Sequence, residues 1–325
     1  VYLLQIQNGF GWSRFAISSA FSVSQMLNGL MGPVLGWLVD RFGSRVVMSL
    51  GIVLFGTAFM GLSTVNHLGT YFLFVLLIGT GASMSGFLTM NATLTNWFLR
   101  RRALAMGLGS TGIGLAGLLA PIVAWFVVAY GWRAVAFASG VAILVIGLPL
   151  AQLFRRQPED YGLRPDGDAL VHGQNAEAAE APKIEASADF TVGEALRDRN
   201  FWFVSIGHGM ALLVVFSITV HLVPHLVDGL GWSEVSAQSM FTLVTLTSVL
   251  GQVIGGFLGD RYSKTKVAAF CMFGHFSAMM LLAFGVSAIF VVLAAVVHGL
   301  AWGARGPLMM AIRADYYGRS HFATI

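Results

Sequence analysis

Long apolar runs dominate the sequence, and each run is long enough to cross a membrane. A spanning α-helix needs about 20 consecutive apolar residues. Nine segments satisfy this length, and residues 1–7 have the character of the end of a preceding segment. Counting that remnant as TM1, we predict TM2–TM10 at about 15–38, 46–65, 69–97, 103–129, 133–154, 201–226, 235–258, 266–285 and 287–311. The runs are too long and too uniformly apolar for barrel strands, so the pattern predicts an all-α polytopic membrane protein.

One polar stretch, residues 155–200, interrupts the series. It contains two Pro- and Gly-containing segments and an Ala/Glu-rich run. That composition buries too little apolar surface to order itself. We therefore expect an N-terminal half at 1–154 (the TM1 remnant and TM2–TM6), a flexible linker at 155–200 and a C-terminal half at 201–325 (TM7–TM10). The linker's end, 192–199, is predicted as a short amphipathic surface helix with Thr191 as its cap.

The basic residues predict the orientation of the chain in the membrane. Loops on one side hold 16 of the 19 Lys and Arg residues. The opposite side has only Arg14 and Arg133, and Arg305 lies within TM10. Because cytoplasmic loops are enriched in Lys and Arg, the basic side and the linker are predicted to be cytoplasmic, in a plasma or inner membrane.

The two parts of the sequence that flank the linker resemble each other at a constant spacing. Residues 36–42 (Gly-Trp-Leu-Val-Asp-Arg-Phe) recur 220 residues later as Gly-Phe-Leu-Gly-Asp-Arg-Tyr at 256–262. The other pairs at this spacing are Gly9/Gly229, Gly11/Gly231, Trp12/Trp232, Ser13/Ser233, Gly79/Gly299 and Trp97/Tyr317. Both copies run in the same direction, which is the parallel repeat of one large transporter class. Six helices per half predict twelve, so we expect a truncated bundle that lacks most of TM1 and all of TM11–TM12.

Composition agrees with a membrane protein. The chain is 56% hydrophobic and 10% charged, whereas soluble domains carry about 25% charged residues. The net charge of +4 does not indicate nucleic-acid binding, because the basic residues sit in short loops. Cys271 is the single cysteine, which excludes a disulfide framework and a thiolate metal site. Gly107-x-Gly109-x-x-Gly112 fits a dinucleotide-binding pattern by letter, but it lies within a membrane span. We therefore expect no cofactor and no metal.

Several motifs are similar to those of a known family. The stretch 36–45, with Gly36, Asp40, Arg41, Gly43 and Arg45, resembles the signature loop between TM2 and TM3 of the major facilitator superfamily. Other stretches resemble its monocarboxylate transporter and oxalate–formate antiporter branch: Gly11-Trp12-Ser13-Arg14, Trp97-Phe98, Tyr130-Gly131-Trp132-Arg133, Pro158-Glu159-Asp160-Tyr161-Gly162-Leu163 and Ala314-Asp315-Tyr316-Tyr317-Gly318-Arg319. The resemblance implies a two-half helix bundle that works by alternating access.

The resemblance also implies a gating role for the signature loop. A carboxylate and a guanidinium at the end of TM2 can pair with each other, with a neighbouring helix end or across the halves, and so latch one state. A solvated loop that only sets topology is the alternative. The second copy keeps Asp260 and Arg261, but Ser263 replaces the glycine and Lys264 and Lys266 replace the later arginine, so a latch there is less expected.

Arg305 is the strongest single candidate for contact with the solute. A charge at bilayer depth is costly and usually faces a cavity or a partner. His298 and Trp302 lie on the same face of TM10, and the predicted spans contain no convincing acid at mid-depth. A guanidinium can bind a carboxylate by forked hydrogen bonds, which favours an anionic substrate. A structural pairing at a helix interface is the alternative.

Other polar residues within the spans are further pathway candidates. TM7 carries His208, His221 and His225, and imidazoles there could relay protons. His221 and His225 share a stripe, and the alternative for these two is that they merely form hydrogen bonds at the outer interface. The lone histidines His275 and His298 are expected to be structural, although His298 stays a candidate through its face of TM10. Further candidates for solute contact are Gln25, Asn28, Asn91 and Gln252.

The leading hypothesis is a secondary transporter of a small, monocarboxylate-like organic anion, coupled to protons or working by exchange. An exporter of drugs or uncharged metabolites and a non-transporting solute sensor are the alternatives. An enzyme would need a convergent catalytic set at one depth, and the sequence shows none. The predicted partners are the lipid bilayer, a small solute and protons, without nucleic acid.

Overall fold

The computed structural model describes residues 2–167, 189–285 and 287–325. These residues fold mainly into α-helices. The helices are α1 (Tyr2–Phe10), α2 (Arg14–Phe42), α3 (Ser44–Leu62), α4 (Leu68–Ser85), α5 (Phe87–Trp97), α6 (Arg102–Tyr130), α7 (Trp132–Gln152), α8 (Val192–Arg197), α9 (Arg199–Pro224), α10 (Glu234–Arg261), α11 (Lys264–Phe284) and α12 (Ala288–Tyr317). Short 3₁₀ turns at Pro158–Tyr161 and Pro165–Gly167 follow α7.

Every predicted span overlaps a helix, and the largest differences are at the spans predicted at 69–97 and 287–311. The span predicted at 69–97 is broken, because α4 ends at Ser85 and α5 begins at Phe87. Gly86 between them is a weak helix former. The Thr89 hydroxyl donates to the Met84 carbonyl at 2.6 Å, which satisfies a group that the break leaves free. The span predicted to end at 311 continues as helix to Tyr317.

Length and hydropathy support the membrane assignment. Within the described residues, seven helical segments are long and apolar enough to cross a bilayer: α3, α4–α5, α7, α9 with its following turn, α10, α11 and α12. Large apolar side chains on these helices are exposed, among them Phe203 (70%), Phe270 (75%) and Phe273 (63%). Such surfaces are unfavourable in water and suit contact with lipid.

The described helices form two compact units. The first contains α1–α5, the second part of α6, α7 and residues 319–325. Within it α3 packs against α4 and α7, and one apolar cluster includes Ile6, Ile17, Tyr71 and Trp132.

The second unit contains the first part of α6 and α8–α12. Within it α12 packs against α10 and α11. The division into 1–154, 155–200 and 201–325 stays a prediction, and residues 168–188 of the linker lie outside the described part.

The sequence repeat is also a repeat of local geometry. Gly11 and Gly231 both have a positive φ (+66° and +71°) immediately before a long helix. Ser13 then caps α2 by accepting from the Ala16 amide at 3.1 Å. Ser233 caps α10 in the same way, accepting from the Ser236 amide at 3.2 Å.

Glycines allow close helix contacts in both copies of the repeat. A Cβ at Gly79 would overlap the Ser24 side chain, and a Cβ at Gly299 would overlap Thr247. These contacts join the second and fourth spans of each copy, which explains why glycine recurs at this pair of positions.

The described end of the linker contains the predicted short helix. α8 ends at Arg197, two residues before the predicted end, because Asp198 leaves the helix and caps α9. Thr191 and Glu194 form a reciprocal capping box at its start. Hydrogen bonds from Thr191 hold the pKa of the exposed Glu194 carboxyl below its usual value.

Candidate functional site

Arg305 on α12 is a buried cation with a neutral partner. Its side chain is 2% exposed. One terminal nitrogen, Nη1, lies 3.1 Å from Nδ1 of His208 on α9. The Arg305 Nε–H is also buried, and no hydrogen-bond partner for it exists among the described residues.

The surroundings of Arg305 do not neutralise its charge. Within the described part of the chain, no carboxylate forms an ion pair with this guanidinium. Burying an ion without a counter-charge is strongly unfavourable, and a free buried donor adds to the cost. The arrangement is therefore suited to receive an anion that can use both the charge and the free N–H.

His298 lies two helical turns from Arg305, and its ring meets another imidazole. The Nδ1 atoms of His275 and His298 are 3.1 Å apart, and each side chain is 1% exposed. The expectation of two lone histidines was thus wrong, because α11 and α12 bring them together. Trp302 lies beside this pair, with its ring centroid 6.4 Å from that of His298. Among the described residues, no group of three or more His, Cys, Asp or Glu side chains could hold a metal.

Asp260, at the end of α10, caps another helix. Its two carboxylate oxygens accept hydrogen bonds from the backbone amides of Ala103 (2.9 Å) and Leu104 (3.0 Å) in the first turn of α6. These amides have no partner within their own helix, and the positive end of the helix dipole favours a carboxylate. Gly256 permits the approach, since a Cβ there would lie 2.8 Å from the Ala103 carbonyl oxygen.

Asp40 makes the equivalent contact in the other copy of the repeat. Its carboxylate accepts from the backbone amides of Ala323 (3.4 Å) and Thr324 (3.0 Å) and from the Thr324 hydroxyl. A Cβ at Gly36 would overlap the Ala323 carbonyl. Residues 323 and 324 stand 220 positions after 103 and 104, so both carboxylates contact the corresponding position of the opposite sequence copy.

Among the described residues, Arg41 and Arg45 contact an aromatic ring and a backbone carbonyl, and neither forms an ion pair with the Asp40 carboxylate. The Arg41 guanidinium lies 5.7 Å from the Trp37 ring centroid. Arg45 Nε donates to the Phe154 carbonyl oxygen at 2.7 Å. Gly43 has φ +83° and joins α2 to α3 in a conformation that favours glycine.

The second copy of the loop holds a different set of charges. Arg261 is exposed. Asp315 of α12 forms ion pairs with Arg102 and Lys264, both at 2.7 Å. Asp315 belongs to one of the motifs that carry the family resemblance, but nothing in the sequence indicates these two partners.

The remaining candidates each have local surroundings of their own. His221 and His225 border an apolar cavity of about 250 Å³ with Ser217, and His225 Nε2 lies 3.2 Å from the Leu282 carbonyl oxygen. Gln25 is exposed. Asn91 is fully buried and donates to the Phe87 carbonyl at 2.8 Å.

Three of the candidate side-chain amides keep a buried oxygen without a hydrogen-bond partner among the described residues. They are Asn28, Asn91 and Gln252. Such oxygens can accept from a solute hydroxyl or a water molecule. The sequence did not predict the contact between His208 and Arg305. The one indication of it in the sequence is that both are polar residues within apolar spans.

The helices are long enough to span a membrane, and the two sequence copies make matching carboxylate contacts. Internal repeats of spanning helices are typical of membrane transport proteins. Residues 1–325 match the family model of the Major Facilitator Superfamily, and the chain belongs to this superfamily of transporters. It is not an enzyme.

Among curated proteins, the chain is similar to the oxalate:formate antiporter of Oxalobacter formigenes. The identity is 25% over 335 residues, which is 99% of this chain and 73% of the antiporter. It is also similar to monocarboxylate transporter 13 of Bos taurus, with 28% identity over 80% of this chain and 56% of that protein. The chain thus spans little more than half of the bovine relative.

Solved structures share the fold. The human organic anion transporter MFSD10 (TETRAN) superposes with a TM-score of 0.67 at 16% identity, covering 99% of this chain and 77% of that one. The fucose:proton symporter FucP of E. coli gives a TM-score of 0.65 at 13% identity, covering 99% of this chain and 85% of that one.

Proposed function

We propose that the chain carries a small organic anion across the membrane by alternating access, with Arg305 as the cation that binds it. The observation that carries this proposal is a guanidinium that is 2% exposed, has a neutral imidazole partner and has no partner for its Nε–H among the described residues. A carboxylate would supply both the missing charge and the missing acceptor.

The relatives support a carboxylate as the substrate class. Two carry names of small carboxylate carriers, the oxalate:formate antiporter and monocarboxylate transporter 13. The chemistry that Arg305 offers agrees with these names. Transport by exchange and transport coupled to protons both fit this site.

The paired carboxylate contacts support a gating role for the two loops. Asp40 and Asp260 each accept from two backbone amides in a segment of the opposite sequence copy. These contacts would stabilise one conformation and would break when the loops separate in the other. Arg41, Arg45 and Arg261 would keep the loops at the membrane surface, which we assign to the cytoplasmic side of a plasma or inner membrane.

The test is uptake into proteoliposomes of labelled lactate, pyruvate, formate and oxalate. We expect saturable uptake of at least one acid, its loss in Arg305→Ala and partial retention in Arg305→Lys, which keeps the charge but not the fork. Arg199→Ala is the matched control, because Arg199 is an exposed arginine at the start of α9 with no assigned role in binding or gating. Absence of uptake for all four acids by the wild type would reject the proposal and favour an exporter of uncharged or drug-like solutes.

A further inference from the structure

His208 is the single described polar side chain that touches the Arg305 guanidinium. It lies in the middle of α9 and is half-buried, whereas His275 and His298 are both 1% exposed and occupied with each other. His208 is therefore the most exposed of these three imidazoles.

The contact fixes the protonation state of His208. A guanidinium has only donors and stays charged in proteins. Since Arg305 Nη1 donates to His208 Nδ1, that nitrogen must carry a lone pair, and the imidazole must be the neutral tautomer with its proton on Nε2. The observed contact thus exists only while His208 lacks a second proton.

Protonation would reverse this contact. A proton on Nδ1 would place a donor against a donor at 3.1 Å and a second positive charge beside a buried one. An anion inserted between the two side chains removes the conflict, because one carboxylate oxygen accepts from His208 Nδ1–H and the other from Arg305. Proton and anion then favour each other's binding, and this linkage is reciprocal.

Among the described residues, the titratable groups that act on His208, or on Arg305 beside it, are positive or neutral. From α12, Arg305 and Arg313 both act on the imidazole electrostatically. From α11, Cys271 and His275 face Arg305. The titratable residues of α10 stand at its two ends, Glu234 at one and Asp260 and Arg261 at the other, and those of α8 are Glu194 and Arg197 near the start of α9. No described carboxylate near His208 competes with the anion for the proton.

We propose that His208 takes up the proton that is carried together with the anion, so that the protein is a proton–anion symporter. This inference rests on the proposed function and decides between coupling to protons and exchange. The proton enters from water onto Nδ1 as the anion binds, and returns to water on the other side when the anion leaves. In the empty carrier, Nδ1 accepts from Arg305 again.

The first experiment separates coupling from transport. Proteoliposomes at zero membrane potential are given labelled lactate in two assays. The first applies a pH gradient of one unit and measures accumulation of lactate. The second applies no gradient and measures exchange against unlabelled lactate. For one proton per monovalent anion, the gradient should give about tenfold accumulation. His208→Gln keeps an acceptor for Arg305 but cannot titrate, so it should retain exchange and lose accumulation. His67→Gln, at an exposed histidine just before α4, should behave like the wild type.

The outcomes distinguish the two proposals. Absence of exchange in the wild type, repeated with oxalate, would reject the proposed function. Exchange without accumulation in the wild type, or tenfold accumulation by His208→Gln, would reject the His208 assignment and leave the anion carrier intact.

A second measurement needs no variant. Calorimetric titration of the wild type with oxalate, in buffers of different ionisation enthalpy, counts the protons taken up on binding. About one proton per anion is expected between the pH at which free His208 loses its proton and the higher pH at which His208 loses it in the complex. A count of zero at every pH between 5 and 8 would overturn the inference even if His208→Gln failed to fold.

Discussion

The Asp260 carboxylate of α10 accepts a hydrogen bond from the Leu104 backbone amide at 3.0 Å, and so caps the first turn of α6. Asp40 makes the corresponding contact with Thr324, also at 3.0 Å. The two acceptors are 220 positions apart, and so are the two donors. This pairing in both copies makes the contacts a built-in feature of the duplicated fold, not a chance surface interaction.

Replacing Asp260 by Asn should destabilise the protein. The change removes the charge from a helix N-terminus and replaces one acceptor oxygen by a donor, which we expect to cost about 1–2 kcal/mol. The midpoint of thermal unfolding in detergent should fall. Asp228→Asn is the control, since Asp228 is exposed at the far end of α9. Equal midpoints for the two variants would contradict the role of Asp260.

The ion pairs of Asp315 should be coupled. Asp315→Asn removes the partner of Arg102, whose side chain is 4% exposed, and of Lys264, whose side chain is 21% exposed. We expect a loss of about 1–3 kcal/mol, less than for a fully buried pair because Asp315 itself is 38% exposed. A double-mutant cycle with Arg102→Gln measures the coupling, and strictly additive losses would show that the two side chains act independently.

Two glycines of α12 should respond oppositely to the same substitution. A Cβ at Gly303 would overlap the Ser248 carbonyl, whereas a Cβ at Gly306 meets nothing within 4 Å. Gly303→Ala should therefore cost about 1–3 kcal/mol by overpacking the α10–α12 interface. Gly306→Ala should be neutral or slightly stabilising, because alanine favours helix. Thermal unfolding of the two variants tests the packing directly, and similar losses would show that the close contact at Gly303 is not selective.

The start of α8 should depend on pH through Glu194. Its carboxyl pKa is depressed by the hydrogen bonds from Thr191, so the cap contributes fully above the ordinary pKa of Glu. The contribution is lost as the pH falls through the lower folded value. Hydrogen exchange of residues 190–198, corrected for intrinsic rates, should therefore accelerate on acidification in the wild type. Glu194→Gln should show no such change, and an equal acceleration in that variant would remove Glu194 as the cause.

The sequence predicted the helices, the repeat and the two Asp loops because each depends on local patterns. Apolar run length determines a span, and a constant offset identifies a duplication. The break at Gly86 was not predicted, since a single glycine in an apolar run is compatible with an unbroken span.

The contacts of the candidate site depend on how distant helices pack. His208 and Arg305 are 97 residues apart, and His275 and His298 lie on different helices. The Arg305 charge was visible in the sequence, but its neutral partner was not. A latch was less expected in the second copy, where Ser263 replaces a glycine and Lys264 and Lys266 replace the later arginine. Asp260 accepts from two backbone amides there, and its role in gating stays a prediction.

The most direct test of the central claim is equilibrium binding of oxalate to the purified protein, followed by calorimetry for the wild type, Arg305→Lys and Arg305→Gln. A charge-assisted hydrogen-bond pair is worth roughly 3 kcal/mol, so Arg305→Gln should bind about 100-fold more weakly, with Arg305→Lys in between. Affinities within a factor of two across the three proteins would contradict the assignment of Arg305 as the anion-binding cation.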